Sequence, residues 1–238
     1  MRRVLAAAIV VLSLTGSAGA TTASVPAFEH VTVVVFENKE ASSVLGNSAA
    51  PTFNSYARRH AIGKTWKVYA EGLPSRGFLD AASGRYAKKH NPFAYFRSIT
   101  SNTDRRRRIV PLPELRSDLR TGTLPDFAFV VPDLCSSMHD RPVADGDSWL
   151  RRTIAPLLGL PSSVLFVLFD EGATSVRLGG HTAALAVGTA VRRDVRYGAI
   201  TGHYGVRTIE DAWALPQLGQ SAKARPISGI WKPSETSR

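Results

Sequence analysis

The sequence has little cysteine and lacks the motifs that mark many nucleic-acid-binding proteins. Cys135 is the only cysteine among 238 residues, so no internal disulfide can form. Its thiol is either free or available for an intermolecular link. The chain contains no zinc-finger spacing, no aromatic-rich ribonucleoprotein motif, no glycine-rich phosphate loop and no internal repeat. We therefore expect no nucleic acid among its partners.

Acidic residues are also scarce: 19 Asp and Glu stand against 30 Lys and Arg, which gives a formal net charge of +11. Part of the excess is the run Arg105–Arg108. A basic balance favours anionic partners such as phosphate esters or anionic lipid head groups. The alternative interpretation of the run is a solvated loop that binds nothing.

The sequence has no apolar run of the roughly 20 residues that a membrane-spanning helix needs. The shorter apolar run Val4–Leu14 follows a basic start, Met1–Arg3, and precedes the small residues Ala18–Ala20. This order is typical of a secretory signal peptide over residues 1–20. The mature protein is therefore expected to begin with a linker over residues 21–27 and to be secreted, extracellular or in the cell envelope.

Two strongly apolar segments end in side chains that offer oxygen ligands. Val31–Phe36 runs into Glu37-Asn38, and Val164–Phe169 runs into Asp170-Glu171. Such uninterrupted runs indicate strands buried on both faces of a parallel sheet, where ligands bind beyond the carboxyl ends of the strands. Carboxylate and amide oxygens suit a hard divalent cation, so these four residues are the predicted metal ligands. The alternative is that acids and amides end the strands only as turn formers.

Strands alternate with helices along the rest of the chain. Strands are predicted at 65–70, 126–131 and 183–187, and helices at 54–59, 111–119, 148–154 and 206–215. The alternation predicts an α/β sandwich with a largely parallel central sheet flanked by helices. One domain is expected over residues 28–225, followed by a flexible tail over residues 226–238.

Four of the six histidines, His90, His139, His181 and His203, lie in predicted loops. Histidine can bind a metal, donate to a phosphoryl oxygen or act as a general acid. For any one of them, the alternative is a structural histidine whose ring is satisfied by its neighbours.

Short segments along the chain together resemble the bacterial phosphoesterase family of phospholipases C and secreted acid phosphatases, within the alkaline-phosphatase-like superfamily. The matching segments are His30–Asn38, Lys64–Lys67, Lys89–Phe93, Pro132–Cys135, Met138–Asp140, Gly146–Leu150, Phe169–Gly172, Gly180-His181, His203-Tyr204 and Thr208–Asp211.

The resemblance implies a shortened alkaline-phosphatase-like fold and metal-assisted phosphoryl transfer, in which a serine or threonine hydroxyl forms a covalent phospho-enzyme. It implies that one divalent metal ion, of unknown identity, is held by Glu37, Asn38, Asp170 and Glu171. The catalytic residues it implies are His90, His139, Asp140 and His203, and His181 is the implied substrate-binding residue. The expected substrate is a phosphate-ester small molecule or a phospholipid head group.

One departure from the family pattern concerns the nucleophile. Tyr56–His60 runs almost directly into Lys64-Thr65, and about fifty residues that the resemblance leads us to expect between them, including the hydroxyl nucleophile, are missing. Thr65 stands next to the gap, but it belongs to a predicted strand and is a poor substitute. No nucleophile is therefore assigned.

Three interpretations of the chain follow. The first is a secreted phosphoric-ester hydrolase impaired by the missing segment. The second is a catalytically inactive secreted protein that binds metal and phosphate esters. The third is a decayed product that does not fold stably, because part of the scaffold is absent.

Overall fold

The computed structural model describes residues 25–36, 64–170, 183–193, 195 and 202–233. The strands of this part are β1 (His30–Phe36), β2 (Trp66–Ala70), β3 (Ala82–Ser83), β4 (Tyr86–Ala87), β5 (Ile109–Pro111), β6 (Phe127–Val131), β7 (Ser163–Phe169) and β8 (Ala184–Val187). The α-helices are α1 (Arg97–Thr100), α2 (Thr103–Arg106), α3 (Pro113–Thr121), α4 (Val143–Thr153) and α5 (Gly202–Ala212). Short 3₁₀ helices cover Lys88–His90, Pro92–Tyr95, Ala155–Gly159 and Gly219–Lys223.

Six of these strands form one sheet in the order β5-β2-β6-β1-β7-β8. Every neighbouring pair is parallel except β7 and β8, which are antiparallel. The predicted α/β architecture with a largely parallel sheet is confirmed. The predicted strand at 183–187 forms, but as an antiparallel edge strand.

The position of β1 in the middle of the sheet follows from its sequence. β-Branched residues fit the pleated surface of a strand, and Val31 and Thr32, which point to opposite faces, are both buried. A strand buried on both faces has to lie inside the sheet, between neighbours and beneath helices. Accordingly, β1 pairs with β6 on one side and with β7 on the other.

Two hydrophobic cores cover the two faces of the sheet. Val68 on β2 and Phe129 on β6 point into the first core, with residues of α1, α5 and the C-terminal segment. The next residues along these strands, Tyr69 and Val130, point into the second core, which contains Trp149 of α4. Side chains alternate across a strand, so each strand contributes to both layers.

A buried polar network fastens α3 to β2 in the second layer. The Asp118 carboxylate accepts hydrogen bonds from Lys67 Nζ and from the Tyr69 hydroxyl, both at 2.6 Å. Burial alone would raise the pKa of Asp118, but the hydrogen bonds from Lys67 and Tyr69 outweigh it and lower the pKa. Burial, and then this carboxylate, raise the pKa of the Tyr69 hydroxyl. The network joins neighbouring elements and has no exposed reactive group.

The segment between β2 and β5 crosses the first face of the sheet and fixes the place of His90. Gly72 has a left-handed backbone (φ 71°), and a β-carbon there would lie 3.2 Å from the amide nitrogen of Tyr86. Glycine is therefore required at this tight contact with β4. Farther along, the Phe93 ring stacks on Trp66 with ring centres 5.4 Å apart, so the segment that follows His90 is anchored to the sheet.

One sequence prediction is wrong for most of its length: the chain from Pro226 onward is not a flexible tail up to residue 233. Ile227, Ile230 and Trp231 are buried in the first core. Trp231 pairs with Val191 in an antiparallel bridge, and its indole nitrogen donates to the carbonyl oxygen of Ile227 at 2.6 Å. Apolar burial and pairing therefore order this segment, and residues 234–238 lie outside the described part.

The remaining predicted elements either match the structure to within a few residues or lie outside the described residues. Helices predicted at 111–119, 148–154 and 206–215 correspond to α3, α4 and α5. The predicted helix at 54–59 and the signal peptide lie outside the described residues. No helix within the described ranges is long and apolar enough to cross a membrane.

Candidate active site

The candidate site lies at the carboxyl edge of the sheet, where the neighbouring strands β6, β1 and β7 end. Phe36, the last residue of β1, stands opposite Phe169, the last residue of β7. The chain therefore leaves these two strands side by side, at the same level of the same edge. Asp170 follows β7 directly and is exposed.

Most of the predicted metal ligands lie outside the described residues. This applies to Glu37, Asn38 and Glu171, and also to the predicted substrate-binding residue His181. Within the described ranges, no group of three or more His, Cys, Asp or Glu side chains is arranged to hold a metal ion. Of the predicted convergence of the metal ligands, the structure describes only that β1 and β7 are parallel neighbours that end at the same edge of the sheet.

The loop after β6, residues 132–140, is built around the buried carboxylate of Asp133. Its Oδ1 accepts hydrogen bonds from the backbone amides of Cys135 and Ser136, both at 2.9 Å. The amide of Asp133 itself donates to Glu71 Oε2 at 3.0 Å, which links the ends of β6 and β2. Asp133 was missed as a site residue, because an aspartate after proline at a strand end resembles an ordinary turn former.

A cationic group lies beside this loop. Arg85 Nε is 3.2 Å from the second carboxylate oxygen of Asp133, and the Arg85 guanidinium is largely exposed. Its pKa is raised, first by a hydrogen bond with Cys135 and then by the carboxylate of Asp133. Cys135 is a half-buried free thiol. Arg85 therefore brings positive charge to the edge at which a phosphate ester is expected.

Two of the predicted catalytic histidines come together here, although 49 positions separate them in the chain. The ring centres of His90 and His139 are 5.9 Å apart. His139 Nδ1 lies 2.6 Å from Asp140 Oδ1, so the predicted catalytic residue Asp140 orients the His139 ring. When Nδ1–H donates to this carboxylate, Nε2 is the ring nitrogen left for proton transfer.

His139 is held in position by a close contact between its loop and α4. Met138, the preceding residue, has a left-handed backbone (φ 69°). Its side chain lies against Gly146 of α4, where a β-carbon would overlap Met138 and the carbonyl oxygen of Ser136. Glycine inside a helix normally lowers stability, so its presence here is explained by the space that Met138 requires.

The remaining predicted catalytic residue, His203, lies in the first turn of α5. The structure therefore brings together His90, His139 and Asp140, and it adds Asp133 and Arg85.

Thr65 is not positioned to act as the nucleophile. Its hydroxyl donates to Asp126 Oδ2 at 2.8 Å and accepts from the Asp126 amide at 3.0 Å. Both residues precede their strands, β2 and β6, and so lie at the amino edge of the sheet, opposite Asp170. The hydroxyl has a structural role at the wrong end of the strands.

Comparison with known proteins decides the family. The model of the Phosphoesterase family matches residues 50–175, which is more than half of the chain. The chain belongs to the Phosphoesterase family. The match contains His90, His139, Asp140, Asp170 and Glu171, whereas Glu37, Asn38, His181 and His203 lie beyond its ends.

Curated relatives of this family member are phosphatases. A phosphatidylinositol-3-phosphatase of Mycobacterium tuberculosis is 27% identical, with 90% of this chain and 86% of the relative covered. An acid phosphatase of Aspergillus fumigatus is 32% identical, with coverage of 65% and 38%, and a phosphate-repressible acid phosphatase of Penicillium chrysogenum is 27% identical, with coverage of 66% and 41%. The chain thus spans about two fifths of the length of the two fungal relatives. By resemblance it is a phosphoric-ester hydrolase.

The alignment with the mycobacterial relative also contains many gaps. It extends over 265 positions, whereas 90% of the 238 residues of this chain is only about 214 residues. About fifty aligned positions of the relative therefore have no counterpart in this family member.

Proposed function

We propose that this chain is a secreted, metal-dependent phosphomonoester hydrolase with low turnover. The observation that carries the proposal is the meeting of β6, β1 and β7 at one sheet edge, where His139 lies next to His90. The phosphatase relatives support a phosphate ester as substrate. A lipid head group and a small soluble ester share the chemistry that such a site recognises.

Glu37, Asn38, Asp170 and Glu171 are the residues that would hold the cation. The donor set fits, because all four supply oxygen ligands, as a hard divalent cation prefers. They follow two strands whose last residues, Phe36 and Phe169, stand side by side. When bound, the cation would stabilise negative charge on the phosphoryl oxygens.

The protein groups contribute proton transfer and charge. His139, oriented by Asp140 at 2.6 Å, can donate a proton from Nε2 to a leaving oxygen or accept one from an attacking hydroxyl. His90 lies beside it and is buried, whereas His139 is open to solvent. Arg85 adds a cation at the same edge, suited to the planar recognition of phosphate oxygens.

The proposed low turnover follows from the lack of an assigned nucleophile. The Thr65 hydroxyl is bound to Asp126 at the opposite edge, and the gaps against the mycobacterial relative support a missing segment. Loss of a covalent nucleophile leaves weak residual catalysis at best.

The experiment is steady-state hydrolysis of a chromogenic phosphomonoester by the purified chain, with Mg²⁺, Mn²⁺, Ca²⁺ or Zn²⁺ added and with Asp170→Ala as the control. We expect hydrolysis to be far slower than that of a full-length family member, to require an added cation and to be absent in the variant. Robust turnover that the variant abolishes would contradict the impairment. Turnover that survives both Asp170→Ala and chelation would contradict the metal dependence.

A second function, binding without turnover, is favoured by the Thr65 hydrogen bonds, because they remove the hydroxyl closest to the gap. Titration calorimetry with inorganic phosphate and the best cation separates the two functions. Binding that requires the cation and is lost in Asp170→Ala, with no measurable hydrolysis, would identify a phosphate-binding protein.

A further inference from the structure

Five arginines of residues 97–108 come together at the amino edge of the sheet, away from the candidate active site. Residues 97–108 contain five arginines and a single acidic residue, Asp104. They form the corner of α1 and α2 and the turn that leads into β5. We call this set the arginine surface; its members are Arg97, Arg105, Arg106, Arg107 and Arg108.

Backbone and side-chain contacts fix the corner. Asn102 Oδ1 accepts from the Arg105 amide at 2.9 Å and so caps α2. Arg105 Nη1 donates to the carbonyl oxygen of Ser98 at 3.2 Å, which joins α2 to α1. Gly77 has a left-handed backbone (φ 71°), and a β-carbon there would lie 3.0 Å from Arg106 Cγ, so the chain after β2 packs closely against the corner. The arginines thus stand on a defined surface.

The positive charge of this surface is poorly compensated. Within the described part of the chain, none of these five arginines forms an ion pair with a carboxylate, whereas the neighbouring Arg76 pairs with Glu114. Arg97 and Arg107 are exposed. Like charges at this spacing repel one another, so stability of the fold gives no reason to gather them.

The position excludes a role in binding the substrate of the candidate site. Arg108 directly precedes β5, whose first residue, Ile109, pairs with Val68 of β2. The carboxyl end of β2, where Glu71 meets Asp133, is at least about 10 Å farther along the sheet at about 3.3 Å per residue. The arginine surface therefore faces another partner.

The geometry points to an anionic phospholipid bilayer as that partner, and we propose that the arginine surface docks the protein there. Guanidinium groups match phosphate groups, and a cluster of four to eight basic residues is enough for an anionic membrane. Reading duplex DNA would need a helix that fits a groove, but α1 and α2 have four residues each.

Single-stranded nucleic acid would need aromatic rings open to its bases. Trp66 contacts Phe93 and the Arg108 guanidinium, which leaves Tyr95, 40% exposed and 4.9 Å from Lys88 Nζ, as a single open ring, whereas successive bases need several. An anionic bilayer requires only positive charge on the protein surface. Docking at this edge leaves the carboxyl edge open to solution, so the inference does not depend on the proposed hydrolase activity.

The test is co-sedimentation of the full chain with vesicles of phosphatidylcholine alone or mixed with phosphatidylglycerol, at low and high salt. We expect binding to the mixed vesicles only, weakened by salt. The double variant Arg97→Gln/Arg107→Gln should lower the partition coefficient on the order of thirtyfold, from the usual contribution of a basic residue near an anionic membrane.

The matched control is Arg151→Gln/Arg152→Gln, which removes the same charge from exposed positions of α4 on the other face of the sheet. It should change binding by less than about threefold, since it lies away from the docking surface. An equal loss in both variants, no binding of the wild type to mixed vesicles, or tighter binding to an oligonucleotide than to vesicles would each overturn the proposal. Circular dichroism of every variant confirms that it is folded.

Discussion

Strand β6 has an aspartate near each end, and the two aspartates have different structural roles. Asp126, at the amino edge, accepts hydrogen bonds from Lys64 Nζ, the Thr65 amide and the Thr65 hydroxyl, all at 2.8 Å. Asp133, at the carboxyl edge, accepts instead from the amides of its own loop, at Cys135 and Ser136. One carboxylate fastens two strands together; the other shapes the loop that carries His139.

A similar difference distinguishes the amino edge of the sheet from the carboxyl edge. At the amino edge and along β2, the carboxylates are paired with side chains from other elements, as Asp118 is with Lys67 and Tyr69. At the carboxyl edge the Asp133 carboxylate is bound by two backbone amides and by the exposed Arg85, and the ring centres of His90 and His139 are 5.9 Å apart. The acid that follows β6 therefore organises the loop of a predicted catalytic residue, whereas the acid that precedes β6 holds two strands together.

The largest effect on stability is expected from Asp118→Ala. It leaves the Lys67 ammonium and the fully buried Tyr69 hydroxyl without their acceptor, which should lower the free energy of unfolding by about 3 kcal/mol. Urea denaturation measures this, with Asp145→Ala, half of an exposed pair with Arg141, as the control. The control should cost less than about 0.5 kcal/mol. Similar losses in the two variants would remove the contrast between buried and exposed pairs.

Gly146→Ala tests whether the loop at the carboxyl edge is rigid. A β-carbon would overlap Met138 and the Ser136 carbonyl, so we expect a loss of about 1–3 kcal/mol and a shifted His139 resonance in the NMR spectrum. Gly205→Ala on α5 is the control, because nothing lies within 4 Å of its added β-carbon. Alanine there should raise stability by about 0.5–1 kcal/mol. An unchanged His139 resonance in Gly146→Ala would refute the positioning role.

Substitution of Asp133 separates hydrogen bonding from charge at the same edge. Asp133→Ala removes the acceptor for two amides and should cost about 1–2 kcal/mol. Asp133→Asn keeps an acceptor oxygen and removes only the pair with the exposed Arg85, so it should cost less than about 1 kcal/mol. Thermal unfolding of the two variants distinguishes the contributions. If Asn were as damaging as Ala, the charge and not the loop geometry would matter.

Much of the sheet was predictable, because its strands have strong local signals. The uninterrupted run Val31–Phe36 is too apolar for any place except the centre, and Ser163–Phe169 has the same character. The direction of β8 was not predictable, since apolar content does not say which way a strand runs. The ordered conformation of the segment around Trp231 depends on the pairing of Trp231 with Val191, forty positions earlier, and no local sequence pattern predicts that pairing.

The candidate site was predictable only in part. The family resemblance implied His90, His139 and Asp140, but 49 positions separate the two histidines and no spacing rule would join them. Asp133 and Arg85 have no sequence signal of their own, because their roles come from contacts between the turn that precedes β4 and the loop after β6. The resemblance implied the metal ligands, and their convergence stays a prediction.

Acidification should reveal how Asp126 stabilises the amino edge of the sheet. Burial would raise the pKa of Asp126, but hydrogen bonds from Lys64 and Thr65 lower it to about 2. Because the folded-state pKa lies below the unfolded value of about 3.9, this carboxylate stabilises the fold above pH 4. Its contribution is lost as the pH falls from about 4 through about 2. Partial exposure reduces the contribution to about 1–2 kcal/mol.

Asp126→Asn should therefore be less stable than the wild type at pH 6 and should lose less stability between pH 5 and pH 2. Asp145→Asn, at an exposed pair, should follow the wild-type curve, and parallel curves for all three proteins would show that Asp126 does not stabilise this edge through its charge.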